Sequence, residues 1–533
     1  MNMLPGGTPV PLGVLGTVTI RPQAAAIDPP ISTAKPSRRI AFTYPFVRSI
    51  VVSAVCALAL DLAFPRTGAW WLIPFALVGL YYVWNGATPR MAALYGYVAG
   101  LIFFTVDFSW FGETAGKLLG PFAFIIPLGP AVAEALAFAF AALVTSLAVR
   151  RCAPALAPAA GAAAFVAGEW ARSSGVLAVP FGQLGLPLVE SPLRPLGAYA
   201  GGYGLTLVAV LAAAYIAAAL RDRGLVRPTL AVLALLAVAT GTATAAWPAR
   251  HLAAPDLRVA AVQGNIRQEL KATPAARVLA VERYTAMTAA LAPLHPAFVL
   301  WPETVILTDM ASDAAARARF GALARQVGMD LGVGTLVRAP AGHGYQNALV
   351  YFTPSGTIGA TVAKRQLVPF AEFLPGPSWM RRLPFADEIS DLVQGHGPQL
   401  DPTSGAGTLI CWESVFGDLA AEQVNAGARF FAVATDDAWF GASDGPYQHA
   451  QATTLRAVES GRWIVRAAAT GISGIVAPDG TWRRRSGLGT QETIVGEIGA
   501  PVATAYTRYG PHPIGGGLAA FTVIVLAWPR RRS

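Results

Sequence analysis

Three polar side chains in the second half of the sequence hold comparable places, each at or just beyond a short hydrophobic run. They are Glu303 in LWPET, Lys364 in TVAKRQLVPF and Cys411 in LICWES. A thiol, a carboxylate and an ammonium make a chemically complete set for acyl transfer. The carboxylate takes the thiol proton as general base while the sulfur attacks an acyl carbon. The lysine, with a backbone N–H near the nucleophile, stabilises the oxyanion that develops. Singly, each residue has a plainer reading: a lone cysteine in an apolar run is mostly a small buried hydrophobe, a glutamate can cap a helix, and a lysine can sit in a solvated loop. What points to chemistry is the set, because groups at strand ends of a layered α/β domain can share one crevice. The chain has three cysteines, Cys56, Cys152 and Cys411. Only the last lies in the globular half, so that half forms no internal disulfide. No pair has metal-ligand spacing, and neither a metal nor a cofactor is expected.

The elements that must position these groups alternate. Strands are expected at 257–265, 297–303, 330–337, 347–352, 407–413, 429–437, 463–469 and 473–478, with helices at 277–292, 311–327 and 445–461. Short apolar strands separated by helices or turns predict a layered α/β domain over 251–505.

The first half obeys other rules. The chain is 54% hydrophobic and only 13% charged, with a mean hydropathy of +0.48, too apolar to be wholly soluble. Apolar stretches at 46–64, 69–85, 91–111, 121–148, 155–171, 196–220 and 228–247, with a last one at 511–528, have spanning length. Residues 1–45 read as a disordered cytoplasmic tail carrying the basic KPSRR, without the layout of a cleaved signal peptide. If that tail is cytoplasmic, Arg90, the pair Arg150 and Arg151, the trio Arg221, Arg223 and Arg227, and the C-terminal Arg530, Arg531 and Arg532 all fall on its side. The opposite loops hold only isolated Arg66, Lys117, Arg172 and Arg194. This positive-inside asymmetry places the globular domain outside the cytoplasm, with transmembrane helices 1–7 over 46–250 and helix 8 over 506–533. The net charge of +10 is thereby explained by topology; no aromatic-interleaved basic stretch suggests nucleic acid.

The order Glu, Lys, Cys in WPE…K…CWE contexts resembles the nitrilase (carbon–nitrogen hydrolase) superfamily. VQGN at 262–265, DDAWFG at 436–441 and RAAATGISGIVAPDG at 466–480 match it as well. Held between seven apolar stretches and one, such a domain is similar to the bacterial apolipoprotein N-acyltransferase family. EWARSSGVLAVPFGQLG at 169–185 and LVPFAEFLP at 367–375 extend the likeness over almost all the chain beyond residue 40. The resemblance implies a multi-span α-helical membrane domain plus a nitrilase-like α-β-β-α sandwich. It implies Glu303 as general base, Lys364 as oxyanion stabiliser and Cys411 as nucleophile. Glu372 matches a second glutamate lining the site. Glu413 matches a further acid whose expected role is structural, and Trp412 would lend a backbone N–H to the oxyanion. The sequence departs from the family pattern at Trp412, where many members have Tyr, at Ala272 in place of Trp and at Ala469 in place of Asn.

The reaction so implied moves an acyl chain from a phospholipid, phosphatidylethanolamine by expectation, through a Cys411 thioester. The acceptor is the α-amine of an N-terminal diacylglyceryl-cysteine on an apolipoprotein. A monomer in the bacterial inner membrane, with its catalytic domain on the periplasmic side, is expected. Apolar loops at 175–187 and 373–380 can line the acyl chains. The alternative is a membrane-tethered amidase acting on a small soluble molecule, for which one span would suffice as anchor. A transporter would instead pair ionisable residues inside its spans. Asp61, Asp107 and Glu169 lie near expected span ends, and Glu134 lies mid-span with no basic partner evident.

Overall fold

The computed structural model describes residues 44–527 apart from 120–124, 272, 311, 341, 383–388 and 399. Most of the expected N-terminal tail, Ala272 and Arg530–Arg532 lie outside the described residues. Helix begins at Tyr44, at the end of the expected tail.

The first part is helical: α1 (Tyr44–Asp61), α2 (Leu72–Gly86), α3 (Pro89–Asp107), α4 (Trp110–Leu119), α5 (Leu128–Arg151), α6 (Ala157–Arg172), α7 (Gly185–Leu188), α8 (Gly197–Arg221) and α9 (Val226–Ala245). The segments 89–107, 128–151, 194–221 and 223–245 are long and apolar enough to cross a membrane. Leu72–Gly86 and His512–Ala527 are apolar but shorter. The expected stretch at 91–111 breaks at Phe108 and Ser109, where α3 gives way to α4. Close approach between α3 and α5 depends on Gly100, where a Cβ would stand 2.9 Å from the Ala135 Cα. On α9 the apolar side chains point away from the protein, with Leu235 and Val238 each 66% exposed.

The remainder alternates: β1 (Leu257–Gln263), α10 (Gln268–Lys271), α11 (Pro274–Ala289), β2 (Phe298–Leu300), β3 (Ile306–Asp309), α12 (Ala314–Val327), β4 (Asp330–Arg338), β5 (Tyr345–Phe352), β6 (Ile358–Ala363), β7 (Ala406–Ile410), α13 (Gly417–Asn425), β8 (Phe430–Thr435), α14 (Gly445–Ser460), β9 (Ile464–Ala468), β10 (Gly474–Val476), β11 (Trp482–Arg485) and β12 (Glu492–Ile498). Beyond them lie α15 (Tyr506–Tyr509) and α16 (His512–Ala527).

One sheet runs β12-β1-β2-β4-β5-β6, with β3 beside β4; the second runs β11-β10-β9-β8-β7. The central strands β1, β2 and β4, like β7, β8 and β9, pair in parallel, so their carboxyl ends open in common directions. The sheets face each other across Val259, Phe298, Leu300, Tyr351, Ile410, Phe430, Ala432 and Val465. Each fully buried large apolar side chain there contributes about 1.5–3 kcal/mol. The Tyr351 hydroxyl meets the Thr408 hydroxyl at 2.6 Å and satisfies both polar groups inside the sandwich. The outer faces pack against α11 and α12 on one side and α13 and α14 on the other, an α-β-β-α order.

The sequence reading differs from this in particular ways. β3, β6, β11 and β12 are additional strands, and α13 an additional helix. Except for β3, the added strands border a sheet or run close to its edge, where half the surface faces solvent and a continuous apolar run is not required. The strands expected to reach 413 and 437 end at Ile410 and Thr435, because the chain turns sharply at both places.

Glu134 does have a basic partner, which corrects the sequence reading. Arg172 Nη1 lies 3.3 Å from its Oε2 and also donates to the carbonyls of Val179 and Phe181. The pair pins the 173–184 segment against α5 and α6. The helical and α/β parts also share a core: Trp412, Val415, Phe416, Phe440 and Val458 belong to the same apolar cluster as Phe104, Trp110, Phe138 and Phe181. Polar bonds cross there too. Gln448 Nε2 donates to Asp107 Oδ1 at 2.8 Å, Trp110 Nε1 donates to Gln448 Oε1 at 3.0 Å, and the Gly202 N–H donates to Glu459 Oε1 at 2.8 Å.

Candidate active site

β7 ends at Ile410, and Cys411 is the next residue. Its φ is 50°, from which the chain enters a tight 3-10 turn over Cys411–Val415. A left-handed backbone at a residue with a Cβ costs about 1–3 kcal/mol and persists only where its surroundings impose it. Glu413 supplies part of that constraint. One carboxylate oxygen accepts from the Ile410 N–H at 2.8 Å; the other accepts from the N–H groups of Arg365 at 2.7 Å and Gln366 at 3.2 Å. A single buried side chain thus ties the cysteine's turn to the chain immediately beyond Lys364. Burial pushes its carboxyl above the usual glutamate range, although the N–H groups of Ile410 and Arg365 and the nearby Lys364 and Arg365 cations pull the other way.

Lys364 directly follows β6, its own N–H bonded to the Asn347 carbonyl on β5. Its ammonium is 1% exposed and donates to Glu303 Oε1 at 3.1 Å and to Glu372 Oε1 at 2.9 Å. Glu303 stands just past β2, where the chain leaves the sheet beside Gly334 of β4. A Cβ on Gly334 would come within 1.9 Å of the Pro302 carbonyl oxygen and 2.7 Å of the Glu303 Cα, so only glycine allows this approach. Glu303 Oε1 also accepts from Asn347 Nδ2 at 2.6 Å, and Oε2 accepts from the Asp436 N–H at 2.8 Å. Asn347 Nδ2 reaches Glu372 Oε1 as well, at 3.2 Å. The second Glu372 oxygen accepts from the Val368 N–H at 2.8 Å, which fixes the 368–372 turn over the lysine.

The charges follow from these contacts. Burial works against the Glu303 carboxylate, yet the Lys364 ammonium, Asn347 and the Asp436 N–H outweigh it and hold its pKa below the usual glutamate value. Burial likewise opposes the Lys364 ammonium, but Glu303 and Glu372 raise its pKa well above normal. The Cys411 thiol is pushed well up by burial and by the Glu303 charge, against the opposing pull of Lys364. The resting site therefore holds a neutral thiol, an ionised carboxylate and a cation. Proton transfer alone from this thiol to this carboxylate is uphill in the resting site.

All six residues singled out in the sequence, Glu303, Lys364, Glu372, Cys411, Trp412 and Glu413, come from the ends of β2, β6 and β7 and the adjoining loop. The Trp412 ring is buried against Phe181, their centroids 5.3 Å apart, and lies 6.3 Å from Phe416. Ala469 lies in the core and pairs through its backbone with Asn265 and Thr435. Sequence reasoning did not find Asn347, which bridges both glutamates. Its only signal was a polar residue opening an otherwise apolar strand. Nor did it single out Asp436, whose N–H fixes Glu303 and whose side chain pairs with Lys271.

A cavity of about 290 Å³ adjoins the Cys411–Val415 turn, walled by Trp170 and Tyr203 from the helical part, by Leu367 and Phe373 from the Glu372 loop, and by Val415 and Phe416. Val176 and Pro180 of the 175–187 loop line it too. Among the described residues no group of His, Cys, Asp and Glu side chains is arranged to hold a metal ion.

A family model described as carbon–nitrogen hydrolase matches residues 258–508, and one described as the apolipoprotein N-acyltransferase N-terminal domain matches residues 56–215. Curated proteins named apolipoprotein N-acyltransferase are similar over nearly the whole chain. That of Methylococcus capsulatus is 32% identical, covering 91% of this chain and 97% of its own. That of Azotobacter vinelandii is 33% identical over 87% and 92%, and that of Pseudomonas aeruginosa 31% identical over 86% and 91%. Among solved structures, an amidase from Nesterenkonia sp. AN1 aligns with a TM-score of 0.35 at 19% identity, over 49% of this chain and 99% of that one.

Proposed function

The chain belongs to the apolipoprotein N-acyltransferase family, an acyltransferase of lipoprotein biosynthesis, and from that membership we propose a two-stage acyl transfer on Cys411. In the first stage the Cys411 sulfur attacks the ester carbonyl of a phospholipid while Glu303 takes the thiol proton. The oxyanion is stabilised by the Lys364 ammonium and the Trp412 N–H. As the intermediate collapses, the C–O bond breaks and Glu303 returns the proton to the leaving lysophospholipid, with the acyl chain left on sulfur as a thioester. In the second stage the α-amine of a diacylglyceryl-cysteine attacks the thioester carbonyl and passes a proton to Glu303. The C–S bond breaks, an amide forms, and the proton returns to the Cys411 sulfur. Glu372 holds the lysine in place, and Glu413 holds the turn.

Phosphatidylethanolamine is the proposed donor. Residues 1–45 form a cytoplasmic tail, 46–250 seven spans, 251–505 the catalytic domain and 506–533 an eighth span, with the catalytic domain on the periplasmic side of the inner membrane. Among the described residues, four helices of spanning length and the exposed apolar face of α9 support a membrane-embedded helical part. Confining both lipid-bearing substrates to a surface raises their effective concentration at the thiol. A monomer suffices, since every group used comes from one chain.

The observation that carries this reading over a tethered amidase is the shared core. The nucleophile's neighbour Trp412 packs on Phe181, from the segment between α6 and α7, within the cluster that also holds Phe104 and Phe138 of α3 and α5. Mere anchors would not build the wall of the site. The test is a thioester trap on the full-length protein in mixed micelles, using phosphatidylethanolamine with a labelled acyl chain. Hydroxylamine-sensitive label is expected on wild type and absent from Cys411→Ala. An unlabelled wild type, or label persisting in the variant, would sink the mechanism. Adding a diacylated peptide should then move the label to its N-terminus; release of free fatty acid instead would mark a lipase.

A further inference from the structure

Behind the nucleophile lies a chain of buried polar groups that the acyl-transfer steps leave unused. Arg466 Nη2 donates to Asp437 Oδ2 at 2.8 Å. Asp437 Oδ1 accepts from the Thr435 hydroxyl at 2.7 Å and faces His449 Nδ1 at 2.8 Å. On the far side of the ring, His449 Nε2 stands 3.0 Å from the carbonyl oxygen of Cys411 and 2.8 Å from the Ser414 hydroxyl. That hydroxyl itself donates to the same carbonyl at 2.8 Å. Asp437, His449, Arg466 and Ser414 are each no more than 1% exposed. Burial would raise the Asp437 carboxyl, but Arg466 and His449 hold it down at about 2, so it is a fixed anion.

Stability alone does not call for such an assembly. Apolar side chains of similar volume fill a buried space at least as favourably as an ion pair. What they cannot do is direct a polar edge at a backbone carbonyl. The carbonyl in question belongs to the residue with φ of 50°, whose peptide group also orients the following N–H. We propose that His449 is a positioning residue: its Nε2 edge, oriented by Asp437 and Arg466, fixes the Cys411 carbonyl directly and with Ser414, and thereby holds the left-handed turn that aims the thiol and the Trp412 N–H. Glu413 restrains the turn from one side and His449 from the other. The proposal rests on the reading of Cys411 as the acyl-accepting nucleophile.

Two near-isosteric substitutions separate the ring's edges. His449→Gln keeps an amide nitrogen near the Nε2 position and loses the Asp437 contact. His449→Asn keeps a group near Nδ1 and loses the Cys411 contact. His449→Leu loses both. Full-length variants would be compared in mixed micelles by single-turnover thioester formation from labelled phosphatidylethanolamine, by half-saturation for that lipid, and by thermal stability. A nucleophile misplaced by about 1 Å loses on the order of 100-fold in rate. His449→Asn and His449→Leu should therefore slow thioester formation by about 100-fold and His449→Gln by less than about 10-fold, with half-saturation unchanged. The proposal is overturned if Asn performs as well as Gln, or if the rates simply follow melting temperature. Should the position-449 variants fail to fold, Ser414→Ala tests the same clamp: slower thioester formation without loss of stability is expected, and an unchanged rate overturns it. A wild type that takes no label refutes the nucleophile itself, and the clamp with it. That outcome is distinct from a labelled wild type whose variants are indifferent.

Discussion

Glu413→Gln is the most telling single substitution at this site. The carboxylate oxygens of Glu413, a residue only 3% exposed, accept the N–H groups of Ile410, Arg365 and Gln366 at 2.7–3.2 Å. An amide has one acceptor oxygen, so its NH2 must face a backbone N–H. If the amide oxygen turns towards Arg365 and Gln366, the Ile410 donor is orphaned; turned the other way, two donors are. At least one buried, unsatisfied N–H costs about 1–3 kcal/mol. Its consequence is local, because Ile410 precedes Cys411 and Arg365 follows Lys364. A relative shift of about 1 Å between thiol and ammonium should slow thioester formation on the order of 100-fold. The assay pairs single-turnover labelling from phosphatidylethanolamine with a thermal melt, and both should fall. Wild-type labelling within about threefold at an unchanged melting temperature would refute the structural role. A proton-carrying role would instead lower the rate and alter its pH profile while leaving the melt intact.

Three further outcomes follow from the same geometry. Gly334→Ala should displace Glu303, since its Cβ would lie 1.9 Å from the Pro302 oxygen; a loss of about 100-fold in thioester formation is expected, and wild-type labelling would show that the strand yields instead. The acylation rate should be flat from about pH 5 to 8, because Glu303 acts as base only when ionised. Its pKa is held below the ordinary 4.5, so its protonation should slow the reaction only as pH falls beneath that value; an acid limb near pH 7 would contradict the assignment. Phe181→Ala removes a fully buried ring that touches both Trp110 and Trp412. It should lower stability by about 3–5 kcal/mol and reduce thioester formation as well; lost stability with an untouched rate would mean that the helices do not support the site.

Much was legible in the chain itself, for reasons that can be stated. Apolar stretches separate the helical half from the α/β half because spanning length and hydrophobicity are local properties of composition. The positions of Glu303, Lys364 and Cys411 were readable because each breaks an apolar run where a strand ends, and the motifs around them carried the family resemblance. Glu372 and the supporting role of Glu413 came only through that resemblance. The edge strands β6, β11 and β12 were not legible, since their pairing is dictated by the partner strand and their own residues need not be apolar.

What tertiary structure alone decided concerns partners far apart in sequence. Asn347 bridges Glu303 and Glu372 because antiparallel pairing of β5 with β6 sets it beside Lys364. Glu134 looked unpaired until the fold brought Arg172 to it from 38 positions away. His449, an ordinary residue of a helix by its sequence context, faces the Cys411 carbonyl only because α14 packs against the Cys411–Val415 turn. The state of the thiol is likewise a property of the fold: burial and the Glu303 charge raise it against the pull of Lys364, and no spacing along the chain encodes that balance. Residue types and local runs determine which chemistry is available. Distances across the sandwich and between it and the helical part decide which groups meet, because burial and Coulomb interactions depend on separation in space and not along the chain.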